Sequence, residues 1–131
     1  MSRLFHFRRT NIEVFKTTWQ ASKLFRVCLL VSFIPWLLFT ALPFFRLMPS
    51  EETGKFIPLH YNIFFGVDKF GPWYSVFELS IFGLVVLFLN TWLAAKYFER
   101  ERALSGFFSA TAFLVQILLL AAMYFTILLN M

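Results

Sequence analysis

The chain has 131 residues, 60% of them hydrophobic and 20 of them Phe, with a formal net charge of +5 and a mean hydropathy of +0.71. Soluble domains average about 45–50% apolar residues, and a domain this small buries only about two-thirds of its unfolded surface, so the composition speaks against a soluble enzyme and for a bilayer as second solvent. The basic balance does not point to nucleic acid, because the charges gather where membrane topology requires them. The single cysteine, Cys28, sits in an apolar run and allows neither an intrachain disulfide nor a Cys-based metal cluster.

The leader, residues 1–23, is basic. Within it Thr10-Asn11-Ile12-Glu13 fits the capping-box pattern, and Ile12, Phe15 and Trp19 fall on one helical face. This predicts an amphipathic interfacial helix resting on anionic lipid. A first span follows over residues 24–45 with Arg26 as its only charge. Its apolar run begins late and ends in bulky residues, unlike a cleaved signal peptide. Pro35 removes a backbone donor and crowds the Val31 carbonyl, which predicts a kink, and Pro43 marks the expected outer end.

Residues 46–73 read RLMPSEETGKFIPLHYNIFFGVDKFGPW. The segment is too apolar for a flexible linker and rich in residues that set turns: Pro49, Gly54, Pro58, Asn62, Gly66, Gly71 and Pro72. An ordered outer loop is expected, with Lys55–Ile57 and Tyr61–Phe65 as strand pieces of a small hairpin. Gly71-Pro72 reads as a turn that places Pro72 at the first position of the next helix.

The second span covers residues 74–95 with Glu78 as its only charge, residues 96–102 form a turn, and residues 103–130 form an uncharged third span. Each span is long enough for the ~20 helical residues that cross a hydrocarbon core, and helices satisfy their own backbone polar groups there. Nine Lys and Arg residues lie in the leader, the start of the first span and the turn: Arg3, Arg8, Arg9, Lys16, Lys23, Arg26, Lys96, Arg100 and Arg102. The positive-inside rule then puts the N-terminus in the cytoplasm and both the 46–73 loop and the C-terminus outside. Trp73 and Tyr74 suit the outer interface, and Trp92 and Tyr97 the inner one. The expected fold class is therefore an all-α integral membrane domain of three transmembrane helices, with an interfacial leader helix and an ordered outer loop.

Polar side chains inside lipid are functional candidates. Glu78, Asn90 and Gln116 lie at different depths and do not form an evident ladder, so interhelical hydrogen bonding is the expected role. Were they to line one path, the chain would instead be a small oligomeric transporter or channel. Ser105 and Ser109, and Gly106 and Ala110, are small residues four apart that permit close helix packing, within the chain or between copies.

In the loop, His60, Asp68 and Asn62 could ligate a divalent cation, but two strong ligands are too few unless Glu51, Glu52 or Glu78 joins them. No nucleophile, base and orienting group can be assembled, so no catalytic residue is assigned. The structural alternative has Asn62 and Asp68 closing turns while His60 hydrogen-bonds across the loop.

The stretch PLHYNIFFGVDKFG resembles the signature loop of a bacterial membrane domain of unknown function found in the N-terminal part of SdpI-type immunity and signalling proteins. Pro58, His60, Tyr61, Asn62, Asp68, Phe70 and Gly71 follow that pattern in order, while Gly66 falls about one residue late and Val67 replaces a polar-Pro pair. The resemblance covers the loop and parts of its flanking helices. It implies a bacterial inner-membrane protein without implying an activity. No nucleotide, haem or metalloprotease motif occurs. The expectation is a non-enzymatic protein without cofactor or metal, embedded in the lipid bilayer, whose loop engages another membrane protein or a second copy.

Overall fold

The computed structural model describes residues 10–48 and 56–131. Expectations that involve Arg3, Arg8, Arg9, Pro49, Glu51, Glu52, Gly54 and Lys55 lie outside these residues. The elements are helices α1 (Asn11–Ala21) and α2 (Lys23–Arg46), strands β1 (Phe56–Asn62) and β2 (Gly66–Pro72), a 3₁₀ turn (Trp73–Val76), and helices α3 (Phe77–Tyr97) and α4 (Arg102–Leu128). Lys23–Arg46, Trp73–Tyr97 and Arg102–Leu128 are long and apolar enough to cross a membrane.

The fold is mostly helical, but the all-α expectation is corrected by the antiparallel hairpin β1–β2. Its register joins Phe56 to Pro72, Ile57 to Gly71 and Asn62 to Gly66. The turn falls on Ile63-Phe64-Phe65, inside the segment expected to be strand. Two local features force it. Asn62 Oδ1 accepts the Phe64 backbone N–H at 2.9 Å, the side-chain turn typical of Asn, and Gly66 has φ 74°, a left-handed conformation that costs other residues about 1–2 kcal/mol. Pro72 ends β2 and caps the 3₁₀ turn instead of starting α3, so the regular helix begins at Phe77.

The leader helix has its expected start. Glu13 N–H donates to Thr10 Oγ1, and Thr10 N–H donates to Glu13 Oε2. Ser22 then breaks α1 from α2 with extended backbone and caps α2 by accepting the Phe25 N–H at 3.1 Å. Helix α1 packs on the end of α3 through Thr18, which lies off the Ile12–Phe15–Trp19 face expected to rest on lipid. Thr18 is fully buried, its Oγ1 donating to the carbonyls of Val14 (2.9 Å) and Ala95 (3.4 Å), whereas Ile12 remains exposed.

Helix α2 runs unbroken through Pro35 and Pro43, both buried, and ends one turn past Pro43 where Leu47 N–H reaches the Pro43 carbonyl. Helix α4 is the shared neighbour of α2 and α3, which touch each other less. Its inward stripe is Ser105, Ser109, Ala112, Gln116, Met123 and Ile127, at the three- and four-residue steps of a packed helix face. Of the two small-residue pairs, Ser105 and Ser109 lie on this stripe. Gly106 is only partly covered, facing Leu24, and Ala110 is exposed.

Candidate functional site

The hairpin sits at the end of the bundle remote from α1, and the bundle's own core extends into it. Ile57 belongs to one buried cluster with Phe39, Leu47, Val76, Met123 and Ile127. A polar clamp joins the same parts: Asn130 Nδ2 donates to the Pro58 carbonyl at 2.9 Å and to the Thr126 carbonyl at 2.8 Å. Gly71, opposite Ile57 in the register, is buried beneath Leu59: a Cβ at Gly71 would lie 2.5 Å from Leu59 Cδ1. Ile57 and the Pro58 carbonyl thus tie the hairpin's base to the helices, and Gly71 lets the two strands close up beneath Leu59.

Farther along, the pairing is irregular on both sides of His60, and His60 Nδ1 meets Asp68 Oδ1 at 2.7 Å. The carboxylate is the acceptor, so Nδ1 carries the proton and Nε2 is left facing outward from the pair. With the side chains 65% and 38% exposed, this pair stabilises the hairpin by no more than roughly 1 kcal/mol. Asp68 therefore pairs across the strands and does not close a turn as expected, while Asn62 does close one.

Beneath the pair lies a cleft of about 450 Å³, bordered by His60, Asp68, Lys69, Ser75, Glu78 and Thr126. The loop folds back far enough to bring His60, Asp68 and Glu78 to one cleft. Even so, among the described residues no three His, Cys, Asp or Glu side chains are grouped to hold a metal ion. What the cleft offers is a ring of hydrogen-bonding groups of both charges over the apolar side chains of Leu79 and Met123.

The turn points away from these attachments. Ile63, Phe64 and Phe65 are 82%, 83% and 84% exposed, and Tyr61 and Phe70 are exposed beside them.

The three intramembrane candidates do not come together. Glu78 is exposed at the start of α3 and borders the cleft. Asn90 Nδ2 donates to the Val86 carbonyl of its own helix, and its side chain makes no interhelical bond among the described residues. Gln116 is fully buried, and its Nε2 donates to the Gly83 carbonyl of α3 at 2.9 Å. Nearby, Trp36 Nε1 donates to the Ser80 carbonyl at 3.0 Å. Polar side chains on α2 and α4 thus both reach the backbone of α3 at the level of Ser80 and Gly83.

Sequence reasoning missed Asn130, Thr126 and Ser75. The only clue to Asn130 is a primary amide at the end of an otherwise apolar helix. Comparison with family models, with curated proteins and with solved structures finds no match to this chain.

Proposed function

We propose that this chain is a non-enzymatic multi-pass membrane protein that presents its hairpin to another membrane protein, as an accessory subunit or as an immunity or sensor component of the SdpI type. The observation that carries this reading is the hairpin tip: three consecutive large apolar side chains, Ile63, Phe64 and Phe65, more than four-fifths exposed on a mount tied to the bundle by Ile57 and Asn130. Clustered aromatic anchors on a rigid support are what protein interfaces use for their central contacts, and exposed apolar patches mark interaction sites. The immunity or sensor variant rests on the loop resemblance. In this reading the hairpin lies outside the cell and α1 in the cytoplasm, the orientation that the distribution of Lys and Arg favours, and the bacterial inner membrane is what the loop resemblance implies.

The alternative, a small oligomeric transporter, draws less support. It needs Glu78, Asn90 and Gln116 on one path, yet Asn90 and Gln116 direct their amides to the Val86 and Gly83 carbonyls.

A photo-crosslinking amino acid at Phe64, activated in native membranes, tests the reading. A protein adduct of one defined mass is expected, absent when the probe sits at lipid-facing Ile81 and lost when Ile63 and Phe65 are changed to Ser. Lipid adducts alone at Phe64 would overturn the docking role.

A further inference from the structure

At the opposite end, a groove of about 570 Å³ lies between α1, α2 and α3. Its walls are apolar. Helix α1 contributes Ile12 and Phe15, α2 contributes Leu29 and Phe33, and α3 contributes Leu84 and Phe88. The residues of α3 that line it, from Leu84 through Leu87, Phe88, Thr91, Trp92 and Ala95 to Lys96, step by three and one along a single helical face. The twelve steps from Leu84 to Lys96 at 1.5 Å each make this face about 18 Å long. That length is about half the ~30 Å hydrocarbon thickness plus the start of the interface.

The one charged residue of its lining stands at one end. Lys96 is the last lining residue along α3, and its Nζ lies 4.8 Å from the centroid of the Trp92 ring. Asn11, which also lines the groove, opens α1. The one carboxylate in that first turn, Glu13, is engaged with the Thr10 N–H.

We infer that this groove is a binding site for one anionic phospholipid of the leaflet on the α1 side, with an acyl chain between α1 and α3 and the phosphate at Lys96. The match in length selects a chain of a single leaflet. The cation at the mouth selects a negative headgroup over a zwitterionic one. The broken junction at Ser22 makes the site: a helix continuous from Asn11 to Arg46 would carry Ile12 and Phe15 away from α3. The inference rests on α2, α3 and α4 crossing a bilayer, and it is independent of the hairpin's role.

The test is native mass spectrometry of the full chain, extracted in detergent, stripped of lipid and titrated with dioleoyl phosphatidylglycerol or dioleoyl phosphatidylcholine. One phosphatidylglycerol is expected to stay bound, in preference to phosphatidylcholine. Lys96→Gln should cut that preference about fivefold, the contribution of one basic residue facing anionic lipid. Thr91→Trp, which fills the groove from α3, should abolish retention of both lipids with helix content unchanged by circular dichroism. Phe88→Trp serves the same end if Thr91→Trp misfolds. Equal retention of the two lipids, or retention untouched by both filling variants, would mean an annular belt and overturn the site. A lipid-free stable dimer would overturn it in favour of a second copy in the groove. Recovery of the chain from the aqueous fraction without detergent would instead sink the membrane reading on which it rests.

Discussion

Asn130 Nδ2 and the Pro58 carbonyl are 2.9 Å apart, a hydrogen bond between residues 72 positions apart that ties the end of the last helix to the base of the hairpin. Because the same amide also caps Thr126, it holds α4 and β1 in one arrangement. Asn130→Ala should cost about 1 kcal/mol. Hydrogen exchange should quicken across residues 56–72 while the helices keep their protection. Unchanged exchange in the hairpin would show that Ile57 alone anchors it.

Gly66 sets the turn through its positive φ, with nothing within 4 Å of where a Cβ would be. The cost of Gly66→Ala is therefore backbone strain alone, about 1–2 kcal/mol, and Gly66→Asn should recover much of it, since Asn tolerates this region. Comparing the two variants by hydrogen exchange of β1 and β2 separates strain from lost packing.

At Gly83 the reverse holds. A Cβ there would lie 2.8 Å from Phe39 Cζ, 3.0 Å from Leu119 Cδ1 and 3.1 Å from Gln116 Oε1. Phe39 and Gln116 are both fully buried, so neither can swing away. Gly83→Ala is expected to destabilise the bundle by about 1–3 kcal/mol through overpacking, read from unfolding in mixed detergent micelles. A neutral result would mean that α2 and α4 separate from α3 without loss.

Gln116 joins α4 to α3 through Nε2, but its Oε1 is buried without a hydrogen-bond partner among the described residues. Leaving such a group unpaired costs about 1–3 kcal/mol, against the roughly 0.5–1.5 kcal/mol that a made hydrogen bond contributes. Gln116→Met, close in volume, should leave stability within about 1 kcal/mol of the parent. Gln116→Ala should cost about 2 kcal/mol or more through the cavity it opens. If Gln116→Met proved as damaging as Gln116→Ala, the amide would be contributing more than packing.

The proposed orientation is open to a direct check. Alkaline phosphatase fused after Met131 should be active, and the same enzyme inserted at Arg100 inactive, because only exported copies fold with their disulfides. The opposite pattern would place the hairpin in the cytoplasm and its partner with it.

The helices were legible in the sequence because their cause is local. Apolar runs of twenty or more residues identified them, and the expected spans 24–45, 74–95 and 103–130 lie close to the helices Lys23–Arg46, Phe77–Tyr97 and Arg102–Leu128. Thr10 and Glu13 announced the start of α1 for the same reason, since a capping box needs only four residues. A hairpin in the loop was also readable, but its register was not. Ile63, Phe64 and Phe65 have strand-forming side chains, and only the Asn62 side chain and the φ of Gly66 turn them into the tip.

What only the tertiary structure decided depends on how helices are rotated against one another. Composition and spacing say that Gln116 and Gly83 lie within spans. They do not say that one faces the other, because that follows from side-chain fit along the whole of α4 with its neighbours. The burial of Thr18 against Ala95, the groove between α1, α2 and α3, and the reach of Asn130 to Pro58 are of the same kind. Each is a contact between residues distant in the chain, fixed by the packing of the whole bundle and written in no local pattern.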